Sequence, residues 1–212
     1  MIAFNQRRLV NMGNIWNERF HSDEYYYGEE PNVFIQQQAF RLEQGQKVIA
    51  FAEGEGRNAV FLAKRNHIVT AIDYAESGLQ KTKKLARKHG VDVQTQKIDL
   101  LEEDVPREEY DAAIMVYGHF HKEAQTSVLN KMKKAIKPKG LLMLEVFSKE
   151  QVKYRTGGPP EIEMLYDPKD ILAWCEGHEV IHFFYGEQER VAGKAHNGLA
   201  HVIQLVLRKC TQ

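Results

Sequence analysis

The sequence predicts an α/β fold: a doubly wound sheet of seven strands, mostly parallel, that ends in an antiparallel hairpin. Three observations predict it. The run from Lys47 to Ala63 reads as an apolar strand that ends in an acid, turns on two glycines and continues into a helix. Strand and helix patterns then alternate as far as Phe147. In the last third, two β-rich runs, residues 179–185 and 199–207, are joined by residues 186–198. That connection is too short for a helical crossover and its turns, so the two runs pair antiparallel.

The elements follow in order. Residues 48–52 are unbroken apolar, which suits a central parallel strand covered on both faces, and Ala59, Leu62 and Ala63 form the packing stripe of the next helix. Ile68–Asp73 is the second strand. Residues 77–89 form a lysine-rich amphipathic helix that packs Leu79, Thr82, Leu85 and Ala86 and is closed by Gly90. Residues 91–99 and 110–117 supply the third and fourth strands. The helix over 122–137 carries Ala124, Val128, Met132, Ala135 and Ile136 on one stripe and ends at Pro138 and Gly140. Residues 140–147 are again nearly all apolar and belong in the middle of the sheet, and a short helix at 168–175 precedes the hairpin.

With 212 residues and 43% hydrophobic content, the chain suits one α/β domain spanning 1–212. Lys plus Arg and Asp plus Glu both number 29, so the net charge is zero and the global basic excess of a nucleic-acid binder is missing. The lysine clusters at 81–88 and 131–139 read as solvated helix faces. The two cysteines, Cys175 and Cys210, argue against a disulfide framework or a cysteine-based zinc site, and no metal is expected. Residues 1–14 lack a signal-type apolar core, and no stretch approaches the roughly 18 to 20 apolar residues that span a bilayer. A cytoplasmic location without membrane contact is the expectation.

The glycine turn carries the chemistry. Gly54 and Gly56 can adopt positive φ and let a ligand approach the backbone. With Ala59 they also match the dinucleotide pattern G-x-G-x-x-A, which keeps an NAD(P)-dependent oxidoreductase in view. Glu53 weighs against it. A carboxylate directly before the first glycine repels a pyrophosphate and suits a cationic ligand such as the amine and sulfonium of S-adenosylmethionine. Asp73, at the end of the second strand, can accept from ribose hydroxyls, although it also suits a helix cap. Asp99 can accept from an adenine amine, with Leu100 as an apolar wall. Three acids at the carboxyl ends of three successive parallel strands mark the edge where such sheets bind ligands. Arg57 and Asn58 open the helix whose N–H groups can meet a carboxylate. Glu55, between the glycines, and Tyr74, after Asp73, complete the expected cofactor set.

These residues resemble a known family, the Rossmann-like class I S-adenosylmethionine-dependent methyltransferases, and within it the small group related to tellurite-resistance and thiopurine-type methyltransferases. The likeness rests on Glu-Gly-Glu-Gly-Arg-Asn at 53–58 and extends from Trp16 to Leu207, taking in Arg19, Phe20, Tyr27-Gly28, Pro31-Asn32, Gln151, Gly157-Gly158-Pro159 and His196 with Gly198. The resemblance implies that Glu53, Gly54, Gly56 and Arg57 line the methionine end of S-adenosyl-L-methionine, that Asp73 meets the ribose and Asp99 the adenine, and that Tyr117 approaches the methionine portion. It implies a small-molecule methyl acceptor. No Asn-Pro-Pro-Tyr-like motif follows the fourth strand, so methylation of adenine or glutamine amino groups has no support.

Methyl transfer needs alignment and a dry cleft more than a catalytic side chain, and a base only for a protonated acceptor. His119 and His121, just past the fourth strand, are the base candidates. Arg190 and His196, flanking the hairpin turn, and the turn-rich loop with Gly157 and Gly158 are the candidate acceptor contacts. Residues 1–46 are expected to form a helical lid whose Trp16 and Tyr27 meet the sulfonium, ahead of the cofactor core at 47–148 and the acceptor loop and hairpin at 149–212. A noncatalytic S-adenosylmethionine-binding module is the remaining alternative.

Overall fold

The computed structural model describes residues 15–193 and 196–211, with His196 described in its backbone only. Seven strands form one sheet in the order β3-β2-β1-β4-β5-β7-β6. They are β1 Lys47–Phe51, β2 Ile68–Asp73, β3 Val93–Lys97, β4 Tyr110–Val116, β5 Ile136–Phe147, β6 Glu179–Ala192 and β7 His196–Arg208. The first five pair in parallel, while β7 runs antiparallel to both β5 and β6. Residues 15–19 are helical, and the further helices are α1 Val33–Gln38, α2 Arg57–Lys64, α3 Glu76–Lys88, α4 Lys122–Ala135 and α5 Pro168–Trp174. No helix among the described residues is long and apolar enough to cross a membrane.

Alternation along the central strands divides the core into two layers. Ile49 and Phe51 of β1 face Val128 and Met132 of α4, together with Met115, Leu142 and Leu144. Val48 and Ala50 face the opposite layer with Phe34, Ile35, Leu62, Ile114 and Met143. An unbroken apolar sequence in β1 is the consequence of burial on both faces.

Three boundaries differ from those read in the sequence. The hairpin absorbs most of the expected connection, because a continuous ladder runs from Glu179 opposite Arg208 to Ala192 opposite His196 and satisfies the backbone of residues that look polar and loop-like. Helix α4 stops at Ala135 rather than at 137: β5 begins at Ile136, carries Pro138 within it, and shifts register against β4 between Tyr110 and Ala112. The bulge accommodates the missing proline donor. Strand β3 ends at Lys97 and is largely exposed, which leaves Asp99 in the following turn.

Gly56 sits at φ +88°, and a Cβ there would lie 2.5 Å from Thr82 of α3. The turn therefore depends on glycine for both conformation and space. Gly56→Ala is expected to lower stability by about 2 kcal/mol, measured by urea unfolding.

Candidate active site

The site is built at the carboxyl edge of the sheet, where Glu53 follows β1 and Asp73 ends β2. Glu53 is buried, and its Oε1 accepts from the backbone N–H groups of Asn58 at 2.9 Å and Ala59 at 2.8 Å. Gly56 occupies the cap position of α2 and has no side chain, so the acid three residues earlier performs the capping. Asp73 is buried too: it accepts from Gly54 N–H and from Ala75 N–H, each at 2.8 Å. The two carboxylates thus clamp the glycine turn from both sides. Burial pushes Glu53 up to about 7, against the hydrogen bond from Ala59, the charge of Arg57 and the contacts of Asn58. Burial likewise raises Asp73 to about 6, although three backbone N–H groups hold it down.

Glu55 points elsewhere. It forms a buried ion pair with Lys81 at 2.6 Å and accepts from the backbone of Tyr26 at 3.1 Å and Tyr27 at 3.2 Å. Arg57 donates through Nη1 to the Tyr27 carbonyl at 3.1 Å. These bonds lay the N-terminal segment on the glycine turn. Its rings pack together, with Trp16 5.4 Å from Phe20 and 6.2 Å from Tyr27, and burial pushes the Tyr27 hydroxyl up to about 12. Phe20 lies against Gly54, 3.1 Å from where a Cβ would be, and Gly193 at the hairpin tip presses on the backbone of residues 26–28. Tyr74 is half-buried, its hydroxyl pushed up by burial and by Asp73 and Asp99. Asp99 caps its own turn by accepting from Leu101 N–H at 2.9 Å, and Leu100 beside it is buried.

A second cluster stands past β4 and β5, around the ring of Phe147. Tyr117, at φ +56°, stacks on Phe147 with centroids 4.4 Å apart, and His119 stacks at 5.4 Å. The guanidinium of Arg190 lies 4.4 Å from the Phe147 centroid and 5.2 Å from that of Tyr117. Gly158 reaches the same ring, since a Cβ there would sit 2.9 Å from it. The adjacent Gly157 carbonyl accepts from Gln151 Nε2 at 3.0 Å. The structure therefore brings Tyr117, His119, Gly158 and Arg190 together. His121 does not join them; it precedes α4 at the cap position without a side-chain capping bond. The side chain of His196 lies outside the described residues.

Burial lowers His119 to about 4, with the charge of Arg190 adding to the effect and a hydrogen bond to the Met164 backbone opposing it. The imidazole is neutral at physiological pH and its Nδ1 has no hydrogen-bond partner. Two residues that the sequence reading overlooked hold this cluster in place. Glu145, fully buried in β5, accepts from Asn32 Nδ2 at 2.7 Å, from Gln204 Nε2 at 2.6 Å and from the Tyr117 hydroxyl. Phe147 is the platform itself. The signal for Glu145 was present: a lone acid inside the apolar run Leu141–Val146 has to be buried with partners.

Residues 48–140, which contain the glycine turn, both clamping acids and Tyr117, match the family model described as a methyltransferase domain. The match likens this segment to a methyltransferase domain. Solved structures with the same fold extend the likeness. One, from work on the conversion of a disulfide bond into a thioacetal group during echinomycin biosynthesis, is 15% identical, with a TM-score of 0.72 over 90% of this chain and 86% of that chain. TehB from Haemophilus influenzae is 16% identical, with a TM-score of 0.71 over 84% of this chain and 62% of that chain. A SAM-dependent methyltransferase from Aquifex aeolicus is 20% identical, with a TM-score of 0.63 over 91% and 96%. At these identities the likeness is one of fold. No curated protein matches the sequence. The sheet order, with antiparallel β7 between β5 and β6, also departs from the order 3-2-1-4-5-6 of dinucleotide-binding sheets.

S-adenosylmethionine fits the residues present. Two carboxylates raised by burial at the edge of the sheet favour a cation beside them. An acid whose folded pKa exceeds its unfolded value stabilises the protein at low pH and loses that contribution as pH rises through the folded value. Glu53→Gln keeps an oxygen for the Asn58 and Ala59 N–H groups and removes the titration. Relative to the parent, the variant is expected to gain about 2 kcal/mol as pH rises from about 4.5 to about 7, read from urea unfolding in the absence of ligand.

Proposed function

We propose that the protein transfers a methyl group from S-adenosylmethionine to a small-molecule acceptor held over Phe147. The observation that carries the reading is the pair of buried carboxylates, Glu53 and Asp73, clamping a glycine turn at the carboxyl edge of the sheet. When bound, the cofactor supplies a methyl group on a positively charged sulfur.

The residues then divide by location. Glu53 places negative charge near the methionine end, and Arg57 and the start of α2 lie where its carboxylate would be met. Asp73 faces the ribose, while Asp99, Leu100 and Tyr74 border the adenine. Trp16 and Tyr27 cover the turn and exclude water, which strengthens the electrostatic contacts beneath them. Tyr117 stands between the two clusters, bonded to Glu145 and stacked on Phe147. His119, neutral at physiological pH, accepts a hydrogen bond from the acceptor and orients it. As a base it is weak, but the proton on a newly methylated oxygen or sulfur is far more acidic than an imidazolium, so a weak base suffices.

Titration calorimetry tests the reading. S-adenosylhomocysteine is expected to bind with a micromolar dissociation constant, and Asp73→Ala to weaken it about tenfold or more. Absence of binding to folded protein would refute the proposal. Trp16→Ala and Tyr27→Ala are expected to weaken cofactor binding by a larger free energy than they remove from folding stability. Equal losses in the two measurements would make the aromatic cluster ordinary packing.

A further inference from the structure

Arg190 is an anomaly on energetic grounds. Only 7% of the residue is exposed, yet its Nε and Nη1 have no hydrogen-bond acceptor; Nη2 reaches the Thr156 carbonyl at 3.5 Å, and the guanidinium also meets the Tyr117 side chain. No carboxylate forms an ion pair with it among the described residues. Glu145 is in the same network but is occupied by Asn32, Gln204 and Tyr117. Burying a guanidinium with its donors unmet costs several kcal/mol, of which two cation–π contacts return only a part. Beside it, His119 presents a second defect, a buried Nδ1 without a hydrogen-bond partner. Both groups pack on the ring of Phe147, and the loop carrying Thr156, Gly157 and Gly158 closes over the same ring. An unmet cationic donor and an unmet imidazole nitrogen, packed on one ring, define the ligand that satisfies both.

We propose that the acceptor carries a carboxylate that pairs with the Nε and Nη1 groups of Arg190, and a hydrogen-bond donor that meets Nδ1 of His119. This deepens the acceptor cleft assigned above and rests on that assignment. The planar fork of an arginine matches a carboxylate through two parallel bonds. The substrate class is therefore a small organic acid with a thiol, hydroxyl or amine beside its carboxylate.

The experiment uses the full chain saturated with S-adenosylhomocysteine, titrated with 2-sulfanylbenzoate, 2-hydroxybenzoate and sulfanylacetate, each paired with its neutral amide. At least one acid is expected to bind tenfold or more tighter than its amide. Arg190→Gln is expected to abolish that preference and Arg190→Lys to retain part of it, with the affinity for S-adenosylhomocysteine unchanged within twofold in both. The free Arg190→Gln protein is expected to melt no lower than the parent, because the arginine is held at a cost to the fold; a marked drop would assign it a structural role and overturn the proposal. Equal binding of every acid and amide by the parent overturns it, as does a preference that survives in Arg190→Gln. A large loss of S-adenosylhomocysteine affinity in Arg190→Gln would give the arginine to the cofactor and overturn it too. Failure of the parent to bind S-adenosylhomocysteine at all refutes the methyl-donor reading, whereas binding without discrimination between acids and amides refutes only the anion site.

Discussion

The carboxylates of Glu53, just past β1, and Asp73, at the end of β2, hold the rest of the site together. Glu53 caps the helix that follows the glycine turn, and Asp73 ties down the first glycine of that turn and the start of the next helix. Each performs a structural task that an uncharged acceptor could perform. The use of full carboxylates in a dry environment costs stability, visible in the raised affinities of both for a proton. A cationic ligand at the same edge relieves that cost, so the strain of the free protein is a form of pre-organisation for binding.

The site is continuous. Glu53 accepts from Asn58 N–H, the Asn58 side chain accepts from Asn32 N–H at 2.9 Å, Asn32 donates to Glu145, and Glu145 accepts from Tyr117 on the Phe147 platform. The path runs from the glycine turn to the Phe147 cluster through bonds between distant parts of the chain. Asn32 is the pivot, because it also caps α1 by accepting from Ile35 N–H. A continuous path gives geometric precision to both ends of the cleft; it is not by itself evidence of energetic coupling. Its value for methyl transfer lies in alignment, since an in-line displacement tolerates little error in the position of either partner.

Several elements were legible because their cause is local. The double burial of β1 and β5 shows as uninterrupted apolar residues, and the antiparallel hairpin follows from a connection too short for a crossover. The length of that hairpin was not legible: Glu187, Gln188, Glu189 and Arg190 look like loop, and only pairing with β7 makes them strand. The end of α4 was misread for a similar reason, since Pro138 stops a helix but is also tolerated at a β-bulge, and the choice depends on β4.

By itself the sequence determined the sheet's connectivity, the glycine turn and the acids at its edge, because strand burial, chain reversal and charge placement all act over a few neighbouring residues. Tertiary structure alone decided which side chains face which. It directed Glu55 to Lys81 and the N-terminal backbone, set Arg190 and His119 on one ring, and buried Glu145 among donors from three different elements. Those outcomes depend on contacts between residues far apart in the chain, and pairing across such distances leaves no periodic trace in the order of the amino acids.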